Sequence, residues 1–140
     1  MRVGAAGVGP WDALVREGKI GRALTLPVTP GADLSCVIVE VGDGVDDLAP
    51  GDAIFGVTND RFVGAYAEFA LADASRLVRK PAGLGFIEAG GMPVVAVTAR
   101  SMLFEYGGLT QCRGEKRYAH ALLIAGVGLR NPAGVDQVSN

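Results

Sequence analysis

Proline–glycine steps divide the first part of this chain into pieces too short for long helices. "Val28-Thr29-Pro30-Gly31-Ala32-Asp33" and "Leu48-Ala49-Pro50-Gly51-Asp52" each set a proline, with its fixed φ, beside a glycine free to take positive φ. Both stretches read as turns. The β-branched run Cys36 to Val41 follows the first turn and stops at Gly42-Asp43-Gly44, which predicts a strand. A second short strand, Ala53 to Gly56, leaves the next turn. From Gly64 to Leu71 apolar and polar residues alternate. Ala65, Ala67, Phe69 and Leu71 fall on one side and Tyr66 and Glu68 on the other, as in a strand packed on a core. Arg76 to Lys80 reads as one more strand, ended by Pro81.

Two stretches follow a different period. In Pro10 to Gly18, proline stands at a first helical turn and glycine just past the last, which predicts a two-turn helix. From Met92 to Tyr106 there is no internal glycine, and Val95, Ala99, Met102, Leu103 and Tyr106 recur at three- and four-residue steps before Gly107-Gly108. This predicts a longer amphipathic helix. The expected organisation is a mainly β body with some α over residues 1–109, its terminal helix included, followed by a divergent tail over 110–140.

The totals narrow the function class. The chain has 140 residues, 49% of them hydrophobic and 20% charged, which fits one globular domain. Its net charge is −2 and its basic residues are scattered, so no stripe is present to neutralise a nucleic-acid backbone. The apolar runs are too short to cross a bilayer, and Pro10, Trp11 and Asp12 interrupt the start before a signal-peptide core can form. A cytoplasmic protein is expected. Cys36 and Cys112 form no paired motif, and the single His120 cannot complete a metal site with them alone. Neither a disulfide framework nor a structural zinc is expected.

Near the end, "IAGVGLRNPAG" opens like a phosphate-binding turn. A dinucleotide fingerprint needs G-x-G-x-x-G between a strand and a helix, with an acid ~20 positions further on. Leu122 to Ala125 is a fair strand, and Gly126 and Gly128 fit the first two glycines. They are the cofactor-binding candidates. Asn131 holds the third place, Pro132 follows, and Asp136 lies too close for the ribose acid. The spacing argues against a working phosphate site in this chain, and the tail reads as the start of an incomplete Rossmann unit.

Four blocks carry a resemblance: "AAGVGPWDALVREG" (5–18), "LTLPVTPGADLSCVIVEVGDGVDDLAPGDAIFG" (24–56), "GAYAEFALADASRLVRKPAGLGFIEAGGMPVVAVTA" (64–99) and "MLFEYGGL" (102–109). In order and spacing the chain resembles the catalytic-domain portion of the medium-chain dehydrogenase/reductase family, in its zinc-free quinone oxidoreductase branch. The resemblance implies a GroES-like, partly open β-barrel and a separate Rossmann domain for NADPH. It also implies hydride transfer from NADPH to quinones, enones or similar activated carbonyl compounds. Thr98 keeps the position of a threonine that in the family lies beside the nicotinamide; it can equally bond back to its own helix. The small-molecule substrate is expected in a cleft near Gly9, Asn59 and Phe62, the last two on the loop "VTNDRFVGAY", which can equally be ordinary surface. No residue stands out as a catalytic acid, base or nucleophile, and Tyr66 and Asp12 read as structural.

Departures from the family pattern sharpen this. Zinc-using relatives carry cysteine where this chain has Gly9, and Gly-His-Glu where it has Gly31-Ala32-Asp33. Two of three expected ligands are therefore missing, no zinc is expected, and Asp33 reads as a turn residue bonding local backbone. Without a Lewis acid, reduction of already activated bonds is favoured over alcohol oxidation. Quinone oxidoreductases commonly have Asn at Gly9 and Tyr at Leu14. Arg100 stands where an aromatic is frequent and Cys36 where glycine is usual.

The resemblance begins inside a strand at "RVGAAGV" and lacks the family's returning segment. Unpaired edges and an uncovered apolar face are expected, hence a homo-oligomer or a partner chain. Three readings stand: part of an NADPH-dependent oxidoreductase, a truncated non-catalytic GroES-like module acting by association, and a small-molecule binding module.

Overall fold

The computed structural model describes residues 1–19 and 25–108. It falls into two units, Met1–Val94 and Val95–Asn140. The predicted strand 122–125, Gly126 and Gly128 lie outside the described residues, as do Cys112 and His120.

The first unit is built on an open antiparallel sheet, in the order β1 (Arg2–Ala6), β2 (Asp33–Val37), β3 (Ala53–Val57), β4 (Leu77–Arg79). Helix α1 (Pro10–Arg16) follows β1, and the short α2 (Phe86–Gly90) follows β4. Helix α3 (Pro93–Arg100) begins in this unit.

Central β2 is buried on both faces, with only Val37 partly exposed. Leu34 and Cys36 join Ile38, Leu48, Ile54, Ala65 and Ala70 in the apolar core. Ser35 points the other way, and its hydroxyl donates to the Phe86 carbonyl of α2 at 2.6 Å. α2 covers that face closely because β1 carries Gly4, where a Cβ would come within 2.9 Å of the Phe86 ring. The register of β1 against β2 slips between Val3 and Ala5, so Gly4 is the extra residue of a bulge.

Several expected elements move. The predicted strand over Cys36–Val41 lies earlier, at Asp33–Val37, because that is where both neighbouring strands supply partners. Past it, the Ile38 N–H donates to the Asp52 carbonyl and its own carbonyl accepts from Gly51, which closes the pairing at the turn. The strand over 53–56 is found within one residue, and Arg76–Lys80 narrows to β4 behind a 3₁₀ turn at Ala74–Arg76.

Gly64–Leu71 is not a strand. Its backbone changes partners along its length: Gly64, Ala65 and Tyr66 donate to Thr29, Gly31 and Pro30, while the Glu68 carbonyl accepts from Val3 of β1 and the Ala70 N–H donates to Met1 just before it. The alternation therefore mispredicts its sides. Ala65 and Ala70 are buried, whereas Phe69 is 61% and Leu71 89% exposed.

Helix α1 forms as expected and ends at Gly18, in positive φ. The single helix over 92–106 becomes α3 and, in the second unit, a π-helix at Ser101–Tyr106, closed by the Gly107 N–H on the Met102 carbonyl at 2.9 Å. The wider turn shifts the helical phase. Met102 and Tyr106 thus leave the face carrying buried Ala99 and are exposed. α2 was not anticipated.

Candidate functional site

The turn from β1 into α1 runs through Gly7, Val8 and Gly9. Gly9 is extended at the helix N-cap, and Pro10 occupies the first helical position, where its missing N–H costs nothing. Asp12, one turn in, reaches back: its Oδ2 accepts the Gly9 N–H at 2.7 Å, while the Asp12 N–H donates to the Gly9 carbonyl. The same Oδ2 accepts from the Tyr66 hydroxyl at 2.8 Å, and the Gly7 carbonyl lies 3.2 Å from that hydroxyl. Asp12 is buried, and its Oδ1 has no hydrogen-bond partner among the described residues.

Tyr66 reaches this turn because its segment is pinned to residues 29–31 and its ring lies against Gly31. A Cβ on Gly31 would stand 2.4 Å from the ring, and the φ there is +95°. Burial, the hydrogen bond to Asp12 and the charges of Asp12 and Asp33 hold the Tyr66 hydroxyl well above the usual phenol range. It stays protonated and serves as a donor.

Asp33 begins β2 and is buried. Its Oδ1 does not bond local backbone, as the turn reading expected, but accepts the Val94 N–H at 2.9 Å, capping α3 from across the fold. The cause is the close approach of Gly7 to Gly90 and Gly91, which brings the start of α3 over β2; a Cβ on Gly7 would stand 2.6 Å from the Gly90 carbonyl. Burial pushes the Asp33 carboxyl up to about 6, opposed by the Val94 N–H and assisted by the charge of Asp12.

The structure places the expected cleft residues as follows. Gly9 is the α1 N-cap. Asn59 and Phe62 share one loop, in which the Phe62 N–H meets the Asn59 carbonyl at 3.4 Å and Phe62 has φ +60°. The Asn59 side chain shapes that loop, accepting from Arg61 and Val63 and donating to the Val63 carbonyl at 2.8 Å. The loop leads through Gly64 to Tyr66, whose hydroxyl ties it to the Gly7–Asp12 turn. Thr98 is on α3 in the second unit, with an exposed side chain. A cavity of about 110 Å³ is lined by Met1, Ile38, Leu48, Leu71 and Leu77, among others, and by none of Gly9, Asn59 and Phe62.

Cofactor capacity can be judged from the helix ends. A helix N-terminus suits a phosphate when its N–H groups are open and its surroundings are not anionic. In the first unit α1 carries Asp12, α2 carries Glu88 folded over Gly85, and α3 is capped by Asp33. These residues do not fit a dinucleotide's phosphates. Among the described residues, no group of three or more His, Cys, Asp or Glu is placed to hold a metal, and no helix is long and apolar enough to cross a membrane.

The carboxylate–tyrosine joint had a sequence signal that was read only in part. Gly9-Pro10-x-Asp12 is an N-terminal capping signature. Nothing local pointed to Tyr66 or Val94 as partners.

Comparison with known proteins fits this architecture. Residues 1–82 match the family model described as alcohol dehydrogenase GroES-like domain. The chain is 36% identical to a quinone oxidoreductase of Rattus norvegicus over 104 residues, covering 74% of this chain and 31% of that protein. It is 33% identical over 106 residues to a chloroplastic NADPH-dependent alkenal/one oxidoreductase of Arabidopsis thaliana, covering 71% and 28%. A solved alcohol dehydrogenase superfamily protein from Novosphingobium aromaticivorans superposes with a TM-score of 0.72 at 34% identity, over 89% of this chain and 41% of that one. The chain spans about a third of the length of the curated relatives it matches.

Proposed function

We propose, for a chain that belongs to the alcohol dehydrogenase GroES-like family of medium-chain dehydrogenases/reductases, the role of acceptor-side lobe in a zinc-free, NADPH-dependent reduction of quinones, enones or similar activated carbonyl compounds. The names of the rat and Arabidopsis relatives support the reaction class. One observation carries the division of labour: among the described residues of 1–94, the starts of α1, α2 and α3 each carry an acidic side chain, so they repel the phosphates of a dinucleotide. The donor is held by other residues. No step through it is derived from this lobe.

On this reading the acceptor sits against the turn at Gly9 and the loop of Asn59 and Phe62. Gly9 adds no side chain beyond the Trp11 ring packed on it. Tyr66 and Asp12 fix the two segments to each other, so the lobe's contribution is to hold the acceptor in place while water is kept out. The test is a fusion of this chain to the dinucleotide-binding lobe of the rat relative, followed by NADPH oxidation with a quinone. Turnover by the fusion, with none by the chain alone, is expected. Saturable NADPH binding and quinone reduction by the isolated chain would overturn the reading.

A second reading, self-association, is favoured by the exposed Phe69 and by the exposed Leu71, which lines the cavity. The occupant is a second copy of the chain.

A further inference from the structure

We infer that Asp33 is a positioning residue for the helix start at Pro93–Val94 and that its hold on the Val94 N–H is an acid-sensitive latch. The geometry has three parts. The first is a trans cap: the helix start at Pro93–Val94 takes its acceptor from a residue 61 positions earlier. The second is burial, since the Asp33 and Asp12 side chains are both out of water. The third is an unequal supply of hydrogen bonds. Asp12 has the Gly9 N–H and the Tyr66 hydroxyl, whereas the bond that favours ionised Asp33 comes from Val94.

The surroundings of Asp33 explain why it takes up a proton readily. From the β1–α1 side it meets Gly7, whose N–H donates to the Asp33 carbonyl, and the charge of Asp12. The Tyr66 segment presents a neutral hydroxyl already turned to Asp12. The Gly90–Gly91 link reaches this place through uncharged backbone, and the acid of α2, Glu88, folds over Gly85. On β3 the facing residue is Val57. Burial and a like charge thus both favour the proton on Asp33, and one backbone amide at a helix N-terminus opposes them.

Neutralising Asp33 has two effects of opposite sign. The buried charge disappears, which favours the folded lobe. The charge-assisted bond to Val94 becomes an ordinary one, about half as strong, which loosens the start of α3. A residue with a purely structural role would not separate these effects.

The experiment is an amide proton and exchange titration of the full 140-residue chain by NMR, from pH 4.5 to 8. The expected result is a Val94 amide resonance that titrates with a midpoint near 6 and loses protection relative to the β2–β3 amides as the pH falls. Asp33→Asn should abolish the titration, and Asp12→Asn should move its midpoint down towards the ordinary carboxyl range. A Val94 amide that does not titrate near 6, or that titrates equally in Asp33→Asn, overturns the proposal. The unsubstituted chain decides alone if either variant fails to fold.

Discussion

The Tyr66 hydroxyl and the Asp12 carboxylate meet at 2.8 Å although 54 positions separate them in the chain. This bond ties the segment that follows the Asn59 and Phe62 loop to the turn bearing Gly9. Removing the hydroxyl in Tyr66→Phe leaves a buried carboxylate oxygen with the Gly9 N–H alone. A loss of about 1.5–3 kcal/mol is expected, as for other hydrogen bonds to charged groups. A urea titration checks it, with a lowered midpoint and an unchanged slope as the expected signature.

Asp33 gives stability a pH dependence opposite to that of most paired carboxylates. Its folded-state value of about 6 lies above the ordinary carboxyl value of 3.8, so between those limits the native chain keeps a proton that the unfolded chain has lost. The contribution of Asp33 therefore falls as pH rises through that window and is level above it. Denaturation midpoints measured at half-unit steps should show this decline, and Asp33→Asn should remove it. A decline that persists in the variant belongs to another group.

Gly31→Ala tests the packing beneath Tyr66. The substitution sets a side chain at φ +95° and drives its Cβ into the ring. The expected destabilisation is about 2–3 kcal/mol, from backbone strain and overpacking together. The near-UV circular dichroism of the tyrosines should change with it. Gly42→Ala, where a Cβ meets open space, is the control and should cost less than about 1 kcal/mol.

Self-association through the 69–71 segment predicts that Leu71→Lys lowers the weight-average mass in sedimentation equilibrium. Leu71 is 89% exposed, so the denaturation midpoint measured at low protein concentration should move by no more than about 0.5 kcal/mol in equivalent stability. Equal masses for both proteins at every concentration would exclude this surface.

How much of this was legible beforehand depended on how far each signal reached along the chain. Helix α1 could be read because its stop and start signals, Pro10 and Gly18, are local. So could β3, fenced by Gly51 and the turn after Val57. The Gly64–Leu71 stretch misled because period-two alternation records composition, whereas its backbone bonds go first to residues 29–31 and then to β1. β2 hid its second buried face, since Asp33 and Ser35 are polar and their cover, α2 and the start of α3, comes some fifty to sixty residues later. The resemblance supplied the family and the expected cleft. It could not show that the Asn59 amide is committed to its own loop or that Asp33 caps a distant helix.

The borrowed acceptor at the head of α3 also makes the start of this helix conditional on the sheet. A helix as short as α3 with its π-helical extension is marginal in water on its own, and here the group that satisfies the second amide comes from β2. The helix should therefore be absent from an isolated peptide of this region.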